Sequence, residues 1–518
     1  MEQPPSMSGV PGKFSGDRYS FATVSHTFGN YPALSGSVVL CVVLLASWRF
    51  FKFTILPAFA AKDEAPELPY MVPVLEPFSL TVAGMQTYVI TKAEDVAQVY
   101  RNTQTLSYEI FVQSMMRILG NSDGAVKAMF TPLPKDKAGF PNPQGQPLGI
   151  LFRRMHIHQL FPGENLTFLE HRFYDFFDRH LTLAKLTETC SSYAAPNTTT
   201  GSITLPLTQW CSDYFIKGGQ AAYFGARLAE IDPTLTDAFL VFDELSYQVI
   251  YQYPTFLARK MQAARRRVLS GLKQYLQLPP DQREDDAWFV KAMETEMRAL
   301  HMSDDDMAIA TMTIYWAINT NSRKAAFWLL AYLLQTPALV DVVRDETAPL
   351  FRADGSFDFE RLHSTVPQLD AMWNEMLRLA SFAASVRYIT ADTVVGTKRL
   401  RKGNRLIVPY RQLHMDEAVF GAPVDRFRHE RFLENPRLAQ GGSGFHPFGG
   451  GATMCPGRHV AKRAVFIFAA MVLRRFDVKL ADGETMLRPD LTKPVPGLMS
   501  PEEGDDMLVV LTPRKGIS

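Results

Sequence analysis

"FHPFGGGATMCPGR", residues 445–458, sets one cysteine between a glycine run and a proline. Directly after it comes "GRHVAKRAVFIFAAMVLRRF", which reads as a helix. Cys455 therefore stands just ahead of a predicted helix N-terminus, where backbone N–H groups lack intrahelical partners and the helix dipole is positive. Both favour thiolate over thiol. Gly449, Gly450, Gly451 and Gly457 let the backbone approach something flat and bulky, and Phe448 can cover it. Such a thiolate serves either as a nucleophile, for which a histidine base is needed and 11 histidines are at hand, or as a metal ligand.

The rest of the chain bounds the choice. It has 518 residues, 47% hydrophobic and 21% charged, with formal net charge +1. That composition buries a large core and excludes a disordered chain or one built to bind nucleic acid. No interior stretch reads as a linker, which predicts one large catalytic domain, residues 78–518, behind an N-terminal segment. The four cysteines, Cys41, Cys190, Cys211 and Cys455, form no C-x-x-C pair. They make neither a disulfide framework nor a structural zinc site, and they point to a reducing compartment. A thiolate as the axial ligand of haem iron accounts for the glycines and the aromatic residue together.

No Asp, Glu, Lys or Arg occurs from Tyr19 through Trp48, and Arg49 and Lys52 follow. About 18 to 20 uncharged, mostly apolar residues are enough to cross a bilayer. The basic flank on the C-terminal side predicts a single-pass anchor over 31–53, after a tail 1–30, with the body in the cytosol. Prolines at 66, 69, 73 and 77 make 54–77 a stiff hinge. The sequons at Asn165 and Asn197 then stay unmodified. Beyond the hinge, two short strands around Ala83-Gly84 and a helix from about Lys92 are predicted. The aromatic stretch "YQVIYQYPTFL", residues 247–257, reads equally as core or as a membrane-dipping entrance.

Ser303 followed by three aspartates is an N-cap signal, and Thr336-Pro337 opens a new helix, so one long helix is predicted between them. The polar cluster "NTNSRK", residues 319–324, lies near its middle and requires partners, water or a ligand. In "PQLDAMWNEMLRLAS", Leu369, Met372, Trp373, Met376 and Leu377 form a buried stripe, leaving Glu375 and Arg378 able to pair on another face. Strands and turns follow, with Gly403-Asn404 as a hairpin turn, and "HERF" offers Arg431 as a second cation for Glu375.

Phe448-x-x-Gly451-x-x-x-Cys455-x-Gly457 resembles the haem-thiolate signature of the cytochrome P-450 family. The anchor, Pro-rich hinge, long central helix, Glu375-x-x-Arg378, Arg431 and Cys455 also occur in that family's order. The resemblance implies a mainly α fold with small β-sheets, haem b, and electrons from NADPH through a reductase. It makes Cys455 the iron ligand, shielded by Phe448, and Glu375, Arg378 and Arg431 a structural charge triad. Arg387 resembles the arginine that binds a haem propionate, with Arg154, Arg153 or His158 as candidates for a second contact. Two places depart from the family. Thr453 stands where a basic residue normally reaches a propionate, and Thr320 and Asn321 stand where an acid and a threonine relay protons. "W-A-x-x-x-N" with "FGGGATMCPGR" looks like the branch containing sterol 7α- and 12α-hydroxylases and prostacyclin synthase.

These features together predict a monooxygenase of the endoplasmic reticulum membrane acting on a lipophilic steroid- or terpenoid-like substrate. Lys462, Arg463, Arg474 and Arg475 are candidates for a face that docks an NADPH-cytochrome reductase. An isomerase or dehydratase without external electrons, and a non-catalytic haem sensor or carrier, remain the alternatives.

Overall fold

Long runs with few turn residues become helices here, and the computed structural model describes residues 32–56, 59, 77–82, 85–135, 139–440, 444–481, 488–502 and 506–515. The helices that bear on function are α1 (Pro32–Phe50), α2 (Ala93–Arg101), α3 (Leu148–Leu160), α4 (Glu164–His180) and α5 (Leu207–Phe224). They continue with α6 (Leu235–Leu245), α7 (Arg259–Gln277), α8 (Asp304–Leu334), α9 (Pro367–Ala380) and α10 (Arg458–Arg475). Five short strands, β1 (Phe78–Val82), β2 (Met85–Val89), β3 (Leu106–Ser107), β4 (Ala384–Ile389) and β5 (Arg405–Pro409), make one sheet in the order β1-β2-β5-β4-β3. Only the β2–β5 pair is parallel. A four-stranded sheet, which joins Ala195–Asn197 and Ser202–Pro206 to Phe476–Leu480 and Leu508–Pro513, and a two-stranded ribbon complete a mainly helical fold.

The centre of the molecule is α8, about 46 Å long at 1.5 Å per residue, against which α5, α7, α9 and α10 all pack. Its N-cap is Ser303, whose hydroxyl accepts from Asp306 N at 3.1 Å. The Asp306 carboxylate in turn accepts from Ser122 N at 2.7 Å, Ser122 Oγ at 2.9 Å and Ser303 Oγ at 2.8 Å. Ser303 thus caps α8, and the Asp306 carboxylate ties the cap to residues 121–122. Along the helix nearly every position from Arg323 to Leu334 is buried, so this half is core on all sides.

Two expectations change on folding. Gly403-Asn404 does not tip a hairpin between its flanking segments, because residues 398–400 pair with 393–395 while β5 pairs with β4 and β2. A strand buried between two partners wins over a local turn, and Gly403, at φ +87°, only redirects the chain. The segment 247–257 divides: Val249 is buried in the core, whereas Tyr251, Tyr253, Phe256 and Leu257 are exposed between α6 and α7. At the N-terminus, α1 presents exposed Leu40, Leu44, Leu45 and Trp48. Among the described residues no single helix is long and apolar enough to cross a membrane. The tail and nearly all of the hinge lie outside the described residues.

Replacing Asp306 by alanine removes four hydrogen bonds to an ionised acceptor and is expected to lower stability by about 1–3 kcal/mol, read from urea unfolding of the purified protein.

Candidate active site

The loop that carries Cys455 is closed on itself. Cys455 N donates to Phe448 O at 2.9 Å, and Gly449 N donates to His446 O at 3.0 Å. Gly449 and Gly451 take φ of +76° and +58°, a region that other residues adopt only with strain. A Cβ on Gly450 would lie 2.6 Å from the Tyr100 ring, and one on Gly451 3.0 Å from Tyr100 Cβ. The flat neighbour of these two glycines is therefore a side chain of α2. The Cys455 side chain is exposed on one side, and the N–H groups of Gly457 and Arg458 point to its sulfur. Even so, burial pushes the free Cys455 thiol up, outweighing those N–H groups and the Arg458 charge. The helix-end N–H groups thus act in favour of the thiolate against that burial, and a bound metal ion deprotonates such a thiol outright.

Behind the loop lies a buried ion cluster. Glu375 and Arg378 on α9 are both 0% exposed, and from Ala371 onward every residue of α9 except Asn374 is buried. Arg378 Nε and Nη2 donate to the two carboxylate oxygens at 2.8 Å each, and Arg431 Nε reaches Oε1 at 3.3 Å. Arg428 N adds a fourth donor at 3.0 Å. The guanidinium groups are also held by carbonyls: Arg378 by His414 O at 2.9 Å, Arg431 by Phe420, Gly421 and Pro423. The His414 ring then accepts from His446 N at 3.0 Å, which links the cluster to the cysteine loop. Burial, with the His446 and Arg378 charges, lowers the His414 pKa to about 3, keeping the ring a neutral acceptor. A histidine without a motif around it gave no sequence signal for this role.

On the other side of the loop stands Arg387. Strand alternation puts Ser385 and Arg387 on the buried face of β4, and Arg387 Nη1 donates to Ser385 Oγ and Val386 O at 2.8 Å. Its Nη2 donates to Thr453 Oγ1 at 2.5 Å. The residue that departs from the family pattern thus holds the arginine that resembles it.

The polar cluster on α8 finds protein partners. Trp316, Thr320, Arg323 and Lys324, at helical spacing, face Asp243 on α6. Trp316 Nε1 and Thr320 Oγ1 donate to Asp243 Oδ1 at 2.7 and 2.5 Å, and Arg323 Nη2 reaches Oδ2 at 2.5 Å and Glu244 Oε1 at 2.6 Å. Burial opposes the Asp243 charge, yet Lys324, Arg323 and the Thr320 hydroxyl bring its pKa down to about 2. Asn321 points elsewhere: its Oδ1 accepts from Leu498 N at 2.9 Å, and a Cβ on Gly497 would lie 2.0 Å from that oxygen. Asn321 thus braces residues 497–498 against α8. Thr313 and Ala317 are exposed and Asn321 half-buried, so positions i, i+4 and i+8 open a stripe in an otherwise buried helix.

Other predicted residues lie apart from this group. Arg154 on α3 sits over the Phe140 ring, and His158 packs on Trp288. Arg153 is exposed, beside Arg458 at the start of α10. The basic residues of α10 are engaged within the molecule: Lys462 with Asp370 at 2.6 Å, Arg463 with Glu170 at 2.9 Å, Arg475 with Asp178, and Arg474 over the Phe351 ring.

Residues 199–509 match the model of the cytochrome P450 family. The chain belongs to that family. It is similar to the cytochrome P450 monooxygenase poxD of Penicillium oxalicum, 23% identical over 486 residues that cover 88% of this chain and 94% of that protein. It is 28% identical over 313 residues to the 25-hydroxycholesterol 7-alpha-hydroxylase of Rattus norvegicus, covering 54% and 74%. A third relative, the 7-alpha-hydroxycholest-4-en-3-one 12-alpha-hydroxylase of Oryctolagus cuniculus, is 30% identical over 196 residues, covering 34% and 39%. This P450 is thus an oxidoreductase of the monooxygenase class with haem iron as cofactor, in a sterol-hydroxylase-like branch. The residues present fit haem: an accessible cysteine sulfur, an accessible stripe on a buried helix, and a buried arginine with no carboxylate beside it.

Two outcomes are expected. Glu375→Gln leaves two buried guanidinium groups without an anion and should cost about 3–5 kcal/mol in unfolding free energy. His414 has a folded pKa of about 3 against 6.5 in the unfolded chain, so only the unfolded chain takes up its proton as pH falls below about 6.5. Stability is full above that pH and is lost progressively toward pH 3. His414→Asn should flatten that part of the urea-midpoint profile.

Proposed function

We propose that this P450 is a membrane-tethered haem-thiolate monooxygenase that hydroxylates a lipophilic, steroid- or terpenoid-like molecule with O2 and electrons from an NADPH-cytochrome reductase. The observation that carries this reading is the accessible Cys455 sulfur in a loop braced by a fully buried charge triad. Haem iron, when bound, supplies oxygen activation, and a thiolate ligand favours O–O cleavage. In this reading Cys455 is the iron ligand, Phe448 covers its sulfur, and Gly451 lets the loop turn without strain. Arg387 takes a propionate, and Arg154 is the candidate for a second contact. Glu375, Arg378 and Arg431 hold the region below.

On the substrate side, the Thr320 hydroxyl donates to Asp243 Oδ1, while Asn321 Oδ1 anchors residues 497–498. The exposed apolar residues of α1, with Arg49 and Lys52 after them, support a single-pass tether in the endoplasmic reticulum membrane with the catalytic domain cytosolic. Exposed Tyr251, Tyr253, Phe256 and Leu257 support an apolar entrance for a lipophilic substrate. Relatives whose names specify sterol 7-alpha- and 12-alpha-hydroxylation support the substrate class.

The reduced, carbon monoxide-bound protein should show the red-shifted Soret band of thiolate ligation; a histidine-like band would sink the reading. Substrate should stimulate NADPH and oxygen consumption with reductase present, and turnover without NADPH would instead establish an isomerase. Asn321→Ala should raise hydrogen peroxide at the expense of product, measured as product formed per NADPH consumed.

A further inference from the structure

Residues 497–499 are clamped between two helices. On one side they meet the end of α9: Phe382 N donates to Gly497 O and Met499 N to Ala380 O, each at 2.9 Å, with Ser381 opposite Leu498. On the other side they are held by Asn321 and Trp328, about two turns apart and so on one face of α8. Asn321 Oδ1 accepts from Leu498 N at 2.9 Å, and Trp328 Nε1 donates to Met499 O at 2.8 Å. Trp328 is buried, so packing fixes its end of the clamp. Asn321 is half-buried at the last position of the open stripe, and its end depends on the Leu498 hydrogen bond.

That bond exists only because residue 497 has no side chain. A Cβ there would lie 2.0 Å from Asn321 Oδ1 and 2.6 Å from both Cγ and Nδ2, far inside contact distance. Gly497 does not take a left-handed φ, so close approach and not backbone conformation is what requires glycine here. The atoms that would have to yield are the end of a short side chain. Around it the faces of α8 are filled, since Thr320 and Lys324 are buried against Asp243 and Ala325 is buried in the core. A displaced carboxamide therefore has one open direction, along the stripe of Ala317 and Thr313. As the chain stands, that opening is clear: the Thr313 hydroxyl donates to Ile309 O at 3.0 Å, and Ala317 and the bend at Pro496 front it.

We propose that Gly497 and Asn321 are paired positioning residues that set the free width between the central helix and the 496–497 bend, and with it the thickness of the substrate admitted beside the stripe. This rests on the haem reading above. Gly497 lets the Asn321 carboxamide turn out of the opening, and the carboxamide in return holds the bend against α8. The wall that results is built from Ala317, Gly497 and Pro496, a smooth apolar surface suited to the face of a rigid, flat fused-ring skeleton. A side chain at 497 reverses the arrangement by turning the amide into the opening.

The test uses full-length ferric holoenzyme and two iron ligands of different bulk, imidazole and 4-phenylimidazole. Each is titrated by the shift of the Soret band in the parent, Gly497→Ala, Asn321→Ala and the double variant. Gly497→Ala should weaken 4-phenylimidazole about 10-fold, the effect of overpacking a filled site, with imidazole unchanged. In the double variant the carboxamide is gone, so 4-phenylimidazole should bind as it does to Asn321→Ala. Unchanged 4-phenylimidazole binding in Gly497→Ala, equal weakening of both ligands, or a double variant that carries the summed losses of the two single ones overturns the proposal. Urea unfolding of the same holoenzymes gives a second reading: the Gly497→Ala midpoint should fall, and the double variant should match Asn321→Ala. If Gly497→Ala does not fold, the double variant decides. Folding restored by removal of the carboxamide is then the expected result, and no restoration overturns the proposal. The haem-thiolate reading fails separately, through a carbon monoxide spectrum without the red-shifted band in the parent itself.

Discussion

The carboxylate of Glu375, with no solvent contact, is the constraint on which the cysteine loop rests. It faces two guanidinium groups, so the cluster carries an excess positive charge that only the carbonyls of His414, Phe420, Gly421 and Pro423 offset. Those carbonyls belong to the segments that approach the loop from below, and satisfying the charge fixes their path. From there the order passes through the neutral His414 ring to His446, and from His446 O and Phe448 O to Gly449 and Cys455. Such a cluster contributes little net stability compared with an apolar core of the same shape, yet it tolerates few arrangements. Its use here is placement.

Three buried ionic groups differ in what completes them, and that difference separates structural from ligand-facing charge. Around Glu375 every charge is met by protein. Around Asp243 the carboxylate is matched by Arg323 and Lys324 and by two neutral donors, which locks α6 onto the central helix. At Arg387 the protein supplies hydroxyls and aromatic faces but no anion. The same accounting applied to α8 distinguishes its wholly buried C-terminal half from the open stripe of Thr313, Ala317 and Asn321.

Sequence reading located the cysteine loop, the long helix and the Glu-x-x-Arg pair because each depends on local chemistry: a turn that needs glycine, a cap with acids in the first turn, two side chains three residues apart on one helix. It also flagged the 319–324 cluster as requiring partners, though not which ones. It saw the helix-end N–H groups that favour the Cys455 thiolate but not the burial that opposes them, because burial is not visible in sequence. It placed a hairpin at Gly403-Asn404, since local turn propensity carries no information about which strands lie on either side.

By itself, then, the sequence determined the family, the haem-thiolate loop and the mainly helical architecture, all carried by patterns within a few turns of chain. Tertiary structure alone decided what surrounds them. Tyr100 meets Tyr410 across 310 residues, Thr320 meets Asp243 across 77, and His414 meets His446 across 32. Contacts at such separation are set by how helices and strands pack, and no local period encodes them. The glycines of the opening stretch show both levels at once: their positive φ is legible in the chain, and the ring they make room for is known only from the fold.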